Sequence, residues 1–260
     1  MIIDSHMHLG YLGGIYNYDV RLETLLGTMD RLDIEKSINS CGYNLTFGDL
    51  ERGYPGDLEA YEASGGRILS YYVYDPNDVN GSLKQMETYD NRAIFKGIKL
   101  HPSWHNVFAD DEAYRPAYEF ARAKKLPIMS HTWTISLTNP VQKFSTPDRF
   151  EKYAAEYGDV KLILGHAGGR YGGIRQAIAL ARKYPNVHVD IAGDIYIDKL
   201  VETLAKEIGA QRILWGSDYP MMDQRIMLGA VLGAAIPLSE KELILHDNAA
   251  RIFGLEVRNE

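Results

Sequence analysis

The chain has 260 residues, 45% of them apolar and 24% charged, with a net charge of −7. That is room for one large or two small globular domains, and the acidic balance weighs against a nucleic-acid-binding surface. The single cysteine, Cys41, excludes an internal disulfide and a multi-cysteine zinc site, which fits a reducing cytosol. No basic region precedes an apolar run at the N-terminus, and no stretch approaches the ~20 apolar residues of a membrane span, so neither a signal peptide nor a membrane segment is expected.

Taken in order, the elements alternate. Ile2-Ile3-Asp4-Ser5-His6-Met7-His8-Leu9 reads as a strand, whose period of two puts Asp4, His6 and His8 on one face and Ile3, Ser5 and Met7 on the other. A Gly/Tyr loop, Gly10 to Asn17, leads to a helix from about Asp19, its N-cap, to Leu32. Strand 2 spans Lys36 to Tyr43. A Gly/Pro-marked loop at Arg52-Gly53-Tyr54-Pro55-Gly56 precedes a short helix, and strand 3 spans Ile68 to Tyr74, stopped by Asp75-Pro76. A helix from Val79 to Tyr89 and strand 4, Ala93 to His101, follow. The second half repeats the rhythm: helix 111–124, strand 126–131, a long loop from Thr132 to Ser145, helix 147–157, strand 160–166, a helix ending near Tyr184-Pro185, strand 187–191, helix 195–208, strand 212–218, and helices near 224–232 and 240–253. Eight strands alternating with helices in one domain predict an α/β (β/α)8 TIM barrel. The competitor, an open doubly wound sheet, lacks its Gly-x-Gly-x-x-Gly turn after strand 1.

Such a barrel carries its site at the C-terminal strand ends. His6 and His8 end strand 1, and Lys99 and His101 share a face at the end of strand 4, with Gly97 one step deeper leaving room. His131 ends strand 5. His166 ends strand 6, after Leu162 and Leu164 on the same face. His188 and Asp190 share a face of strand 7, and Asp218 ends strand 8. A lone His-x-His pair reads equally as a metal site or as two hydrogen-bonded core residues. His, Lys and Asp at several strand ends aimed at one mouth favour the metal, because unpaired buried charge costs several kcal/mol. Beside a cation Lys99 has to be neutral or turned to substrate, or else it pairs with a carboxylate such as Asp190. Arg170, at a predicted helix start after Gly168-Gly169, either meets an anionic substrate group or is a solvated first-turn arginine. His101, Trp104 and His105 after strand 4, Trp133 after strand 5, and Tyr11, Tyr16 and Tyr18 after strand 1 form a candidate aromatic rim, or pack loop on loop. His246 reads as structural.

The motifs Asp4-Ser5-His6-Met7-His8, Gly97-Ile98-Lys99-Leu100-His101-Pro102, Ser130-His131, Leu164-Gly165-His166-Ala167-Gly168-Gly169, Gly216-Ser217-Asp218-Tyr219-Pro220 and the ending 247–255 resemble the metal-dependent amidohydrolase superfamily, and in particular amidohydrolase family 2. The resemblance implies that His6, His8, His131 and Asp218 ligate one divalent metal, usually Zn. It implies that His166 either binds a second metal or acts on water or substrate, and that Asp218 takes a proton from metal-activated water. In members resembling dihydroorotase, a strand-4 lysine in a Lys-Leu-Tyr-Pro stretch is carboxylated and bridges two metals, a role that would fall to Lys99. One metal per chain is the expectation, two the alternative.

Together these readings predict a cytoplasmic metal-dependent hydrolase of a small carboxylated or cyclic amide, lactam, ester or lactone, with Lys99, His101, Arg170, Trp104 and Trp133 facing substrate. The alternative is a non-hydrolytic decarboxylase of an aromatic or muconate-type acid, as the family also contains. A metal-binding protein without activity is disfavoured by the intact ligand set. The expected partner is a small molecule, with no nucleic acid or membrane, and a homo-oligomer is compatible with the chain.

Overall fold

A computed structural model describes residues 1–12 and 21–256. Tyr16, Tyr18 and the Asp19 N-cap expected above lie outside the described residues. Eight parallel strands run in sequence order: β1 (Ile2–Met7), β2 (Ile34–Asn39), β3 (Ile68–Val73), β4 (Phe95–Leu100), β5 (Ile128–His131), β6 (Leu162–Gly165), β7 (Val187–Asp190) and β8 (Ile213–Leu214). Backbone bonds across the β8–β1 seam close the ring. Ser5 N donates to Trp215 O (3.1 Å), Asp218 N to His6 O (2.8 Å) and His8 N to Tyr219 O (2.7 Å). The fold is the expected (β/α)8 barrel.

The helices are α1 (Leu22–Arg31), α2 (Gly42–Phe47), α3 (Leu50–Ala63), α4 (Val79–Thr88), α5 (Pro102–His105), α6 (Arg115–Lys124), α7 (Glu151–Glu156), α8 (Gly172–Lys183), α9 (Leu200–Ile208), α10 (Gln224–Gly233), α11 (Leu238–Glu242) and α12 (Asn248–Phe253). Among the described residues no helix is long and apolar enough to cross a membrane. Two apolar layers hold the barrel. Ile2, Met7, Ile98, Leu100, Leu162, Leu164, Val187 and Val189 face the helices. Ile3, Ile38, Leu69, Tyr71, Met129, Ile163 and Leu214 fill the interior, where Ala249, Ala250 and Phe253 of α12 close the end away from the site. The space beside Gly97 belongs to Tyr71, whose ring lies 2.9 Å from where a Cβ would stand.

Three local expectations are corrected. On β1, Asp4 pairs with Ser37 and Met7 with Asn39, so β1 carries one residue more than β2 over that step. This bulge resets the alternation. Ile3 points into the barrel and Asp4 out toward Ser217 and Gln224 (2.6 and 3.3 Å), yet His6 and His8 both turn inward. On β6, Leu162 and Leu164 face the helices, so strict alternation would send His166 outward. Positive φ angles at His166 (61°) and Ala167 (47°) swing it into the mouth instead. Finally, the stretch around Pro55 is helix, not loop, because α3 runs through it. Gly53 serves there as a contact point for Asn44, whose Oδ1 lies 1.5 Å from where a Cβ would stand; tertiary packing overrides turn propensity.

Candidate metal centre

His6 and His8 present defined ring nitrogens. His6 Nδ1 donates to Asp190 Oδ2 at 2.8 Å. His8 Nδ1 donates to the Ser40 carbonyl at 2.9 Å, since a carbonyl only accepts. In neutral imidazoles this leaves both Nε2 atoms as acceptors, that of His6 met by Lys99 Nζ at 2.7 Å, and both face Asp218 Oδ1, at 3.8 Å from His6 and 3.2 Å from His8. Burial and the nearby Lys99 charge push His6 down to about 4, outweighing Asp190, so it is neutral at physiological pH. Burial opposes ionisation of Asp218, but when the facing imidazoles are protonated the His8 hydrogen bond and the charges of His166, His6 and His8 overcome it and hold the carboxyl well below the usual range.

Three acceptors thus converge within 4.8 Å of one another, all buried. Converging lone pairs repel unless a proton or cation lies among them, and neutral imidazoles with a carboxylate are the donor set that borderline divalent ions take. The residues therefore fit a divalent metal. The Asp190 and Ser40 partners supply the outer hydrogen bonds that fix ligand tautomers. Asp190 also accepts from His166 N (2.8 Å) and Ala192 N (2.9 Å). Its own burial resists ionisation, but the His6 and His166 contacts bring it down to about 2.

The remaining expected residues surround this cluster. Lys99 does not pair with Asp190. Its buried Nζ donates to His6 Nε2 at 2.7 Å, and burial pushes it down to about 8 against the pull of Asp190 and Asp218. A cation at His6 Nε2 requires Lys99 to be neutral or to swing aside. His166 Nδ1 donates to Ala192 O at 3.0 Å, leaving Nε2 as its other nitrogen, and its ring centre is 4.9 Å from that of His6. His131 is not among the converging atoms. Its Nε2 donates to Gln142 Oε1 at 3.0 Å, and its ring is near-parallel to those of His101 (4.2 Å between centres, 5° between planes) and Trp133 (6.2 Å, 7°). His101 Nδ1 caps α5 by accepting from Trp104 N at 3.2 Å.

These side chains line one cavity of about 620 Å³, together with Trp104, Arg170, Asp194, Gln142 and a hydroxyl-bearing run at Thr134, Ser136 and Thr138. Arg170 is ion-paired to Asp194 at the rim and lies 6.0 Å over the Trp133 ring. Tyr11 is exposed and stacks on Phe47, and neither it nor His105 lines the cavity. His188 sits deeper, Nδ1 donating to Asn186 O, and His246 pairs with Asp247 in the C-terminal helical stretch. Sequence reasoning missed Asp194 and Gln142. Asp194 follows Gly193 just past β7, a strand-end position that could have marked it, whereas nothing in the 132–145 loop singles out Gln142.

The sequence profile of the amidohydrolase family matches residues 3–255. No curated protein matches the sequence. Among solved structures, the chain is similar to 2,6-dihydroxybenzoate decarboxylase from Rhizobium, at 17% identity and TM-score 0.75 over 98% of each chain. It is similar to 5-carboxyvanillate decarboxylase from Novosphingobium aromaticivorans complexed with manganese, at 14% identity and TM-score 0.75 over 98% of this chain and 96% of that one. An amidohydrolase from Burkholderia multivorans with bound zinc gives 15% identity and TM-score 0.75 over 98% and 100%. At such identities the likeness is one of fold.

Proposed function

This chain belongs to the amidohydrolase family, and from that premise we propose that it is a metal-dependent decarboxylase of a small hydroxylated aromatic acid. Sequence patterns alone favour the hydrolase and keep decarboxylation second; the order reverses because two of the similar solved structures are aromatic-acid decarboxylases. The observation that carries the reading is the wall of parallel rings, His101, His131 and Trp133, lining the same cavity as the His6–His8–Asp218 cluster. A planar ring fits against such a wall with offset stacking, and a cavity of about 620 Å³ suits a small molecule.

When bound, a divalent ion supplies Lewis-acid charge against which acidic oxygens are fixed; manganese and zinc both satisfy the donor set, and one ion per chain is the reading preferred. The protein's own groups do the rest. As the C–C bond breaks and CO2 leaves, the electron pair stays on the ring carbon and must be met by a proton. His166, lining the cavity beside the cluster, is the group suited to deliver it. Trp104 and Trp133 restrict water, and Lys99, swung aside from His6 Nε2, supplies positive charge for the substrate's acid group.

The test is incubation of the metal-loaded protein with ortho-hydroxybenzoates and, separately, with lactones and amides. CO2 release that disappears in His6→Ala/His8→Ala supports the proposal. Ring opening or amide cleavage without CO2 would return the site to hydrolysis.

A further inference from the structure

We propose that Asn39 is a positioning residue for His8, and that Asp57 holds Asn39 in that role. The inference rests on the reading of His6, His8 and Asp218 as a metal site. Beyond Met7 the β1–β2 ladder continues as a parallel pairing: Ser40 N donates to Met7 O and Gly42 N to Leu9 O, both at 2.8 Å. In an ordinary parallel ladder the Ser40 carbonyl would accept from Leu9 N. Here that carbonyl accepts His8 Nδ1–H instead, at 2.9 Å. Leu9 N donates to Asn39 Oδ1 at 2.7 Å. A side-chain carbonyl thus stands in for a main-chain one, and the main-chain carbonyl is released to fix the His8 ring with Nε2 toward the site.

The substitution works only with the amide one way round, and the surroundings set which way. Asn39 Nδ2 donates to Asp57 Oδ1 at 2.9 Å. The same oxygen accepts from Ser70 Oγ at 2.7 Å, and Asn44 Nδ2 donates to Asp57 Oδ2 at 3.4 Å. A reversed amide would set Asn39 Oδ1 against a carboxyl oxygen and its NH2 against the Leu9 N–H, two repulsive contacts. Asn39, Asn44, Asp57 and Ser70 are all buried. A buried carboxyl group surrounded by neutral donors is a costly element, and what this one contributes is orientation, passed through Asn39 to the end of the strand that bears His8.

The experiment compares Zn2+ affinity, by chelator competition on metal-stripped protein, for the wild type, Asp57→Asn and Phe253→Leu. The last is a destabilised control at the opposite end of the barrel. An amide at position 57 offers Asn39 a donor as well as an acceptor and lets it turn. The expected result is a Zn2+ Kd raised ~10–100-fold in Asp57→Asn, the range for lost outer hydrogen bonds to a metal ligand, and unchanged in Phe253→Leu. In the metal-free protein, 15N spectra should show His8 losing its single Nδ1–H form in Asp57→Asn alone. If Asp57→Asn does not fold, Ser70→Ala, which loosens the same carboxyl oxygen, should raise the Kd about threefold or more. Wild-type affinity and an unaltered His8 signal in a folded variant overturn the inference and leave the metal site standing. A wild type that binds no divalent ion overturns the metal reading itself.

Discussion

Gly193→Ala separates the proton-carrying half of the site from its metal half. Gly193 has φ +88°, and a Cβ there would stand 2.7 Å from His166 Nδ1 and 3.3 Å from Asp218 Oδ2. Two effects follow. The left-handed backbone costs alanine ~1–2 kcal/mol, or about 2–8 °C in melting temperature for a chain of this size. The methyl also has to push the His166 ring back by roughly 0.7 Å to reach ordinary contact, off the Ala192 carbonyl that fixes its Nδ1; a misplacement of ~1 Å at a reacting group costs on the order of 10²-fold in rate. Gly65→Ala isolates the first effect, since Gly65 has φ +62° and no atom lies within 4 Å of its would-be Cβ. Both variants are expected to melt lower by similar amounts. Only Gly193→Ala should lose kcat, by ~10–100-fold in steady-state CO2 release, with metal affinity within about threefold of wild type because the facing oxygen is not the converging Oδ1. A Gly193→Ala enzyme turning over within twofold of Gly65→Ala would refute the role given to His166 and the geometry behind it.

Replacing His166 itself by Asn should keep metal content at the wild-type level and lower kcat by at least ~10²-fold; near-normal turnover would reduce His166 to packing. Elemental analysis is expected to find one divalent ion per chain, unchanged in Lys99→Met, whereas two ions and a carboxylated Lys99 in the mass spectrum would require a bridged pair. Burial holds His188 down to about 4 against its Asn186 hydrogen bond, so the unfolded chain binds the extra proton between that value and ~6.5. Stability from this residue is therefore present above ~6.5 and lost as the pH falls through 4, by up to ~3 kcal/mol. Denaturant unfolding should show the His188→Leu difference growing more favourable to the variant over that window, and parallel curves would contradict it.

How much the sequence told depended on the range over which each feature is decided. Alternation of apolar runs is local, and it located the strands within a few residues and the C-terminal mouth to which His6, His8, Lys99, His166 and Asp218 belong. The direction of individual side chains was less legible. The β1 bulge depends on pairing with β2, and the turn of His166 depends on a left-handed backbone that alternation cannot register. Least legible were partners decided at long range. Asp190 shares an inward face with His188, as its spacing suggests, but nothing near it says that it will hold His6 from 184 positions away rather than Lys99. The clamp on Asn39 draws on β2, α2, α3 and β3 at once.

The β8–β1 seam has a bearing on how the chain reaches its native state. His8 and Asp218 stand 210 positions apart, yet they meet where the first and last strands join. A growing chain that has made seven strands holds both imidazoles but not the Asp218 carboxylate, so the His6–His8–Asp218 set is incomplete until the eighth strand docks. Once the eighth strand docks, an ion bound across the seam favours the closed ring over any state with that seam open, in proportion to the logarithm of its concentration. Ring closure is the slow, long-range step of such a topology. Metal supply thereby acts as a check on complete assembly: chains truncated before Asp218 would lack this latch, and metal starvation would first appear as loosening between the two ends of the sheet.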